Sequence, residues 1–198
     1  MTVAPLTTSQ TVGPFFHDCL MRADVRCEAL AMAGAEGQRI RVDGHVNDGE
    51  GKGVPDAVIE LWQANHYGRY NHPADSRPLP LDPSFRGFGR IATDEAGRFS
   101  FTTIKPGPVP SAADQTQAPH IVAAIFARGL LNHLLTRIYF EDDPAITADP
   151  VLLLVPPERR ATLLARRDLG HPEPRGEVTY HFEIVLQGDG ETVFFNIP

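Results

Sequence analysis

Residues 120–126 read HIVAAIF, a near-continuous apolar run preceded by Pro119 and followed by Ala127-Arg128-Gly129. A short run of this kind between turn residues reads as a strand buried on both faces. Similar short segments recur on either side of it. Residues 39–46, RIRVDGHV, alternate apolar and polar side chains as a half-buried strand does, and Asn47-Asp48-Gly49 with Gly51-Lys52-Gly53 follows as a turn. Residues 57–62 (AVIELW), 134–140 (LLTRIYF), 180–186 (YHFEIVL) and 193–195 (VFF) read as further strands. Arg90–Thr93 and Arg98–Ile104 flank Asp94-Glu95-Ala96-Gly97, a hairpin signal with glycine where positive φ is needed.

Helix is scarce. Residues 19–33 (CLMRADVRCEALAMA) are good helix formers with Gly34 as a stop, and 156–169 reads as a short helix with proline at its start and Glu158 in its first turn. The stretch from Gln63 to about Gly87 is a long proline-rich loop, and such loops inside a compact domain usually carry function or form an interface. Many short strands and little helix predict an all-β sandwich with short helices and long loops. One domain over residues 1–198 is expected, its first 38 residues forming an arm with a possible short helix. There is no internal repeat or low-complexity tract.

Composition narrows the function classes. The chain is 42% hydrophobic and 22% charged, so it is globular rather than disordered. Its net charge of -7 and the lack of a basic stripe argue against nucleic acid as a partner. No apolar run is long enough to span a bilayer, and the first ten residues do not resemble a signal peptide. Cys19 and Cys27, if helical, lie about 12 Å apart along the axis, too far for a disulfide. A cytoplasmic protein is expected.

Phosphate-cradling loops, dinucleotide fingerprints, nucleophile elbows and zinc spacings are all missing from the sequence. His66, Tyr67, Tyr70 and His72 bring metal-capable donors together in the long loop, although such residues in a polar loop are more often surface and packing residues. His120 opens the central strand, but a two-ligand strand site needs a donor at 122, which is Val122. Arg128, at the end of the buried run, needs a carboxylate partner from the protein or from a ligand.

Several ordered motifs resemble the intradiol ring-cleaving dioxygenases: Ser9–Phe15 (SQTVGPF), residues 59–65 (IELWQAN), Gly68-Arg69-Tyr70, Leu81–Phe85 (LDPSF), Gly89-Arg90, Lys105–Pro108 (KPGP), Pro119-His120-Ile121 and Gln187–Phe195 (QGDGETVFF). The resemblance covers nearly the whole chain. It implies a β-sandwich and a reaction centred on ferric iron, held by two tyrosinates and two histidines, at which a chelated catechol reacts with O2.

Position by position, the resemblance places Arg77 and Val109 where the family has its tyrosines. His120 and Val122 stand where it has its His-x-His pair, and Gln117 where it has an arginine. Three of the four ligands are therefore absent, and no catalytic residue is expected in this chain. The resemblance is closest to the iron-free (alpha) chains of two-chain members, which pair with a homologous iron-bearing beta chain and open protocatechuate. It implies Fe(III) in the partner, a higher oligomer of alpha–beta units, and an active site at the interface. Thr11, Gly13, Pro14 and Arg128 are then expected to line the substrate pocket, with Phe15 and Phe16 packing on the partner. Two alternatives stay open: a self-sufficient iron enzyme using Tyr67, Tyr70, His72 and His120, and a non-catalytic β-sandwich binding module.

Overall fold

The computed structural model describes residues 9–22, 29–111, 114–170 and 176–196. Ten strands account for most of the regular structure: β1 Arg39–Asn47, β2 Val58–Trp62, β3 Phe88–Ala92, β4 Arg98–Ile104, β5 Val109–Pro110, β6 Thr116–Gln117, β7 His120–Phe126, β8 Leu134–Phe140, β9 Leu164–Arg167 and β10 Val178–Val185. Eight of them form a nearly closed sheet in the order β3-β2-β7-β8-β9-β10-β1-β4, and β5 pairs with β6 alone. Strand β9 joins a four-strand side (β3-β2-β7-β8) to a three-strand side (β10-β1-β4), through two parallel pairs with β8 (Tyr139–Leu164 and Phe140–Ala165) and two antiparallel pairs with β10.

The halves face each other as a sandwich because their strands alternate. Ile40, Val42 and Val46 of β1, Phe99 and Phe101 of β4, and Tyr180, Phe182 and Ile184 of β10 point inward from one layer. Ile59 and Leu61, Ile91, Ile121, Ala123 and Ile125, and Ile138 and Phe140 meet them from the other. The remaining positions of β2, β7 and β8 lie on the outer face of their layer, and this outer face carries every site of interest. At the C-terminal end of β7 it is covered by the arm: Val12 and Phe16 pack with Val58, Ala124, Phe126 and Leu135. At the other end Tyr139 lies under Leu152, Val155 and Leu163, with Val193 and Phe195 alongside.

Four expectations are corrected. The expected helix at 19–33 is displaced: the helix α1 runs from Pro14 to Leu20, residues 23–28 (with Cys27) lie outside the described set, and Ala29 and Ala31 make isolated bridges to Thr102 and Phe85. Burial of Leu30 in the core overrides helix propensity there. Residues 156–169 are not an α-helix but a 3-10 turn at Pro157–Leu163 that gives way to β9, because Leu164 and Ala165 are needed to bridge the two halves. The Asp94–Gly97 segment is a tight turn, with Gly97 at φ +76, yet β3 and β4 are not a hairpin; they occupy opposite ends of the sheet order, so the turn carries the chain from one layer to the other. Residues 193–195 form no ladder and attach to β8 by single bonds, Phe195 N–H to the Leu135 carbonyl at 2.7 Å and Thr136 Oγ1 to the Val193 carbonyl at 2.8 Å.

Candidate functional site

The long loop after β2 is ordered by its own polar groups. Asn65 is buried, and its Oδ1 accepts from the Tyr67 and Arg69 amides at 3.0 Å, while its Nδ2 donates to the Pro80 carbonyl at 2.9 Å. Gly68, at φ +82, lies so close to the segment before β5 that an added Cβ would stand 2.0 Å from the Pro108 carbonyl oxygen. Only glycine tolerates both the conformation and the approach. This contact fixes Tyr70, His72 and Arg77 over the outer face of β2 and beside Val109.

Of the four positions expected to mark a metal site, Arg77 and Val109 line one cleft, and Val122 and His120 stand on β7, Val122 beside the Trp62 of that cleft. Trp62, Val122 and Arg137 stand side by side in register on β2, β7 and β8. The Tyr70 ring stacks on Trp62 with centroids 5.7 Å apart, and His72 meets Trp62 edge-on. Trp62, Tyr70, His72, Arg77 and Val109 line one cleft of about 420 Å³. His120 lies two residues from Val122 on the same face of β7.

Their chemistry does not fit a ferric ion. Arg77 brings a cationic guanidinium that is already paired with Asp75, Nη2 to Oδ2 at 2.5 Å, and bonded to the Gly68 carbonyl. That guanidinium holds the Asp75 carboxyl well below the usual carboxylate range. Val109 and Val122 have no donor atom. His120 is buried, its Nδ1 engages the Ala118 carbonyl at 2.8 Å, and burial together with the nearby Arg137 charge lowers its pKa to about 4. One guanidinium group and two aliphatic side chains replace the two anionic oxygens and the second imidazole that such an ion requires. The alternative donor set is not assembled either, since the Tyr67 hydroxyl donates to Glu36 at 2.5 Å and no contact joins it to Tyr70, His72 or His120.

Two residues at this site went unread in the sequence. Arg137, in the LLTRIYF run, donates to Gln117 Oε1 at 2.6 Å and to the Tyr139 hydroxyl at 3.1 Å. A guanidinium thus reaches position 117 from β8, although residue 117 itself is not arginine. Asp149, fully buried, accepts from Tyr139 Oη at 3.0 Å and from the Ala118 amide at 2.7 Å, which locks the entry to β7. A charged residue inside an otherwise apolar strand was the available signal for Arg137.

The residues expected at a substrate pocket cluster elsewhere. Thr11 is exposed, Gly13 has open space where a side chain would stand, and Pro14 begins α1. Ser9 bonds His133 (Oγ to Nδ1, 3.0 Å) and Phe16 lies 5.5 Å from Phe126, so the arm lies against the end of β7 that leads to Arg128. Phe16 therefore packs on its own chain, whereas Phe15 is 87% exposed. Arg128 is not buried as its position after an apolar run suggested; it is exposed and pairs with Asp56, Nη2 to Oδ2 at 2.6 Å. Position 122 lies four strand residues, about 13 Å, before the end of β7 at Phe126, and Arg128 lies two residues beyond that end. The arm and Arg128 thus lie far from this chain's own cleft, on a surface of their own.

Comparison with known proteins agrees with this geometry. The family model described as Dioxygenase (Dioxygenase_C) matches residues 12–188. The protocatechuate 3,4-dioxygenase alpha chain of Burkholderia cepacia is 42% identical over 207 residues, covering 100% of both chains. The protocatechuate 3,4-dioxygenase beta chain of the same organism is 38% identical over 96% of this chain and 79% of its own length. Among solved structures, hydroxyquinol 1,2-dioxygenase from Pseudomonas putida DLL-E4 superposes with a TM-score of 0.62 over 90% of this chain and 66% of that one, at 24% identity, a likeness of fold.

Proposed function

Because the chain belongs to the intradiol ring-cleaving dioxygenase family, we propose that it is the iron-free alpha subunit of a heteromeric protocatechuate 3,4-dioxygenase. Its homologous beta subunit then holds the Fe(III) at which protocatechuate and O2 become 3-carboxy-cis,cis-muconate. The observation that carries this reading is the cleft chemistry: Arg77 stands ion-paired, and Val109 and Val122 stand bare, where anionic and imidazole ligands are needed. A fold able to shape a pocket but not to hold the ion needs a partner that supplies it.

In this reading the chain contributes binding surface rather than catalytic groups. Thr11, Gly13 and Pro14 border the substrate pocket of the partner, and Arg128 attracts the ring carboxylate through its planar pair of N–H donors. The position of this surface beyond the end of β7 away from the chain's own cleft supports an active site at the subunit interface rather than within one chain. Phe15 and Leu131, 87% and 86% exposed near the arm and Arg128, supply apolar area for the contact. The assembly contains several alpha–beta units and works in the cytoplasm; none of the described helices is long and apolar enough to cross a membrane.

The test is assembly. Co-expression with a homologous chain that carries both tyrosines and both histidines yields ring-opening activity absent from this chain alone. If no such partner confers activity, a binding-module reading takes its place.

A further inference from the structure

We propose that the cleft of this chain, though unsuited to iron, is a binding site for a small aromatic carboxylate anchored by Arg137. The contrast between the arginines beside the cleft, Arg77 and Arg137, is direct. Arg77 is neutralised by Asp75. Arg137 has only neutral partners: the Gln117 amide oxygen, the Tyr139 hydroxyl and the Phe195 ring, 6.0 Å from its Cζ. Among the described residues no carboxylate bonds this half-buried guanidinium directly; Asp149 is held one step away on the Tyr139 hydroxyl, and the remaining N–H donors are an arrangement that an oxyanion completes.

The surroundings choose the kind of anion. Gln117, which holds the Arg137 head, also donates to the Pro110 carbonyl and pairs with Val109, and both Val109 and Pro110 are walls of the cleft. The opposite wall is the stacked Trp62–Tyr70 pair with His72 edge-on. A slot of about 420 Å³ with aromatic walls, lined as well by the paired Asp75 and Arg77 and flanked through Gln117 by a guanidinium whose direct partners are neutral, matches a planar ring bearing one carboxylate. A multiply charged oxyanion such as phosphate would face the Asp75 carboxylate and the aromatic walls. The site is separate from the iron centre proposed for the partner, so its occupancy is counted in addition to iron.

The experiment uses the assembled enzyme and benzoate, which lacks the paired hydroxyls that chelate iron. Calorimetry gives total benzoate bound, and the visible absorption of the ferric centre reports benzoate bound at iron. The proposal predicts one benzoate per alpha chain beyond that seen at iron. Arg137→Gln should weaken this extra site by about tenfold or more, with Arg137→Lys retaining part of it and iron-site binding unchanged in both. Circular dichroism verifies that each variant is folded, and if Arg137→Gln fails to assemble, the Lys variant and the wild-type stoichiometry still decide. Benzoate bound only at iron, an extra site unaffected by Arg137→Gln, or inorganic phosphate competing as well as benzoate would each overturn the assignment.

Discussion

Arg128 and Asp56 meet at 2.6 Å across the adjoining ends of β7 and β2, with 68% of the arginine side chain exposed. Exposed pairs of this kind contribute about 1 kcal/mol or less. Asp56 is held at φ +58, so its carboxylate is set in place by an uncommon backbone conformation rather than by burial. A weak, preformed partner keeps the guanidinium oriented without committing it, and an incoming carboxylate can take its place at little cost. Arg128→Ala in the assembled enzyme should therefore raise KM for protocatechuate about tenfold or more and leave unsubstituted catechol within about twofold. Steady-state kinetics on both substrates measures this, and equal effects on the two would remove the carboxylate role.

Phe15 is 87% exposed, while its neighbour Phe16 is anchored on Phe126. Phe15→Asp should leave the thermal stability of this chain within about 0.5 kcal/mol, because the ring buries nothing in the isolated fold. It should nevertheless weaken association with the iron-bearing chain by about tenfold or more. Sedimentation of mixed subunits provides the measurement, and assembly at wild-type strength would show that the arm does not meet the partner through this ring.

His120 gives stability a defined dependence on pH. Burial lowers its folded pKa to about 4, below its ordinary 6.5. The unfolded chain therefore takes up this proton first as pH falls, and stability is full above pH 6.5 and lost progressively toward pH 4. The loss from this one group is roughly 3 kcal/mol. Asp75, whose carboxyl is held low by Arg77, contributes only further down, below the ordinary carboxylate range. Urea unfolding at pH 7, 5.5 and 4.5 should show a shallower acid loss for His120→Gln than for the wild type; identical slopes would mean that the imidazole is not held neutral.

Gly68→Ala tests how the long loop is fixed. The new Cβ meets the Pro108 carbonyl oxygen at 2.0 Å in a backbone conformation that disfavours side chains. A loss of about 2–3 kcal/mol in unfolding free energy is expected. A neutral result would show that the loop is free to move away from the Lys105–Pro108 segment.

Much of this was legible in the residue pattern. The strands Arg98–Ile104, His120–Phe126 and Leu134–Phe140 lie where the residue pattern places them, His120–Phe126 as a near-continuous apolar run buried in the sheet. Position-by-position reading against the family named Arg77, Val109, His120 and Val122 as the ligand-equivalent positions; in the fold Arg77 and Val109 line one cleft, and Val122 pairs with the Trp62 beside them. Non-local demands were not legible. Leu164 and Ala165 become a strand only because β8 offers them a parallel edge, and Ala29–Ala31 leaves the expected helix because Leu30 fills the core. Arg137 escaped notice because its importance arises from register: only pairing with Val122, itself paired with Trp62, brings it to the cleft. Arg128 was read as buried because the run before it is buried, whereas the strand ends at Phe126 and releases the side chain into solvent.

The location of the iron is the most direct test. The separated chains of the assembled enzyme should be measured for iron and for the visible tyrosinate-to-iron absorption. The account predicts about one ferric ion per partner chain and none in this one, which should be colourless and unable to open the ring by itself. Stoichiometric ferric ion in this chain, with ring cleavage in the absence of a partner, would contradict it.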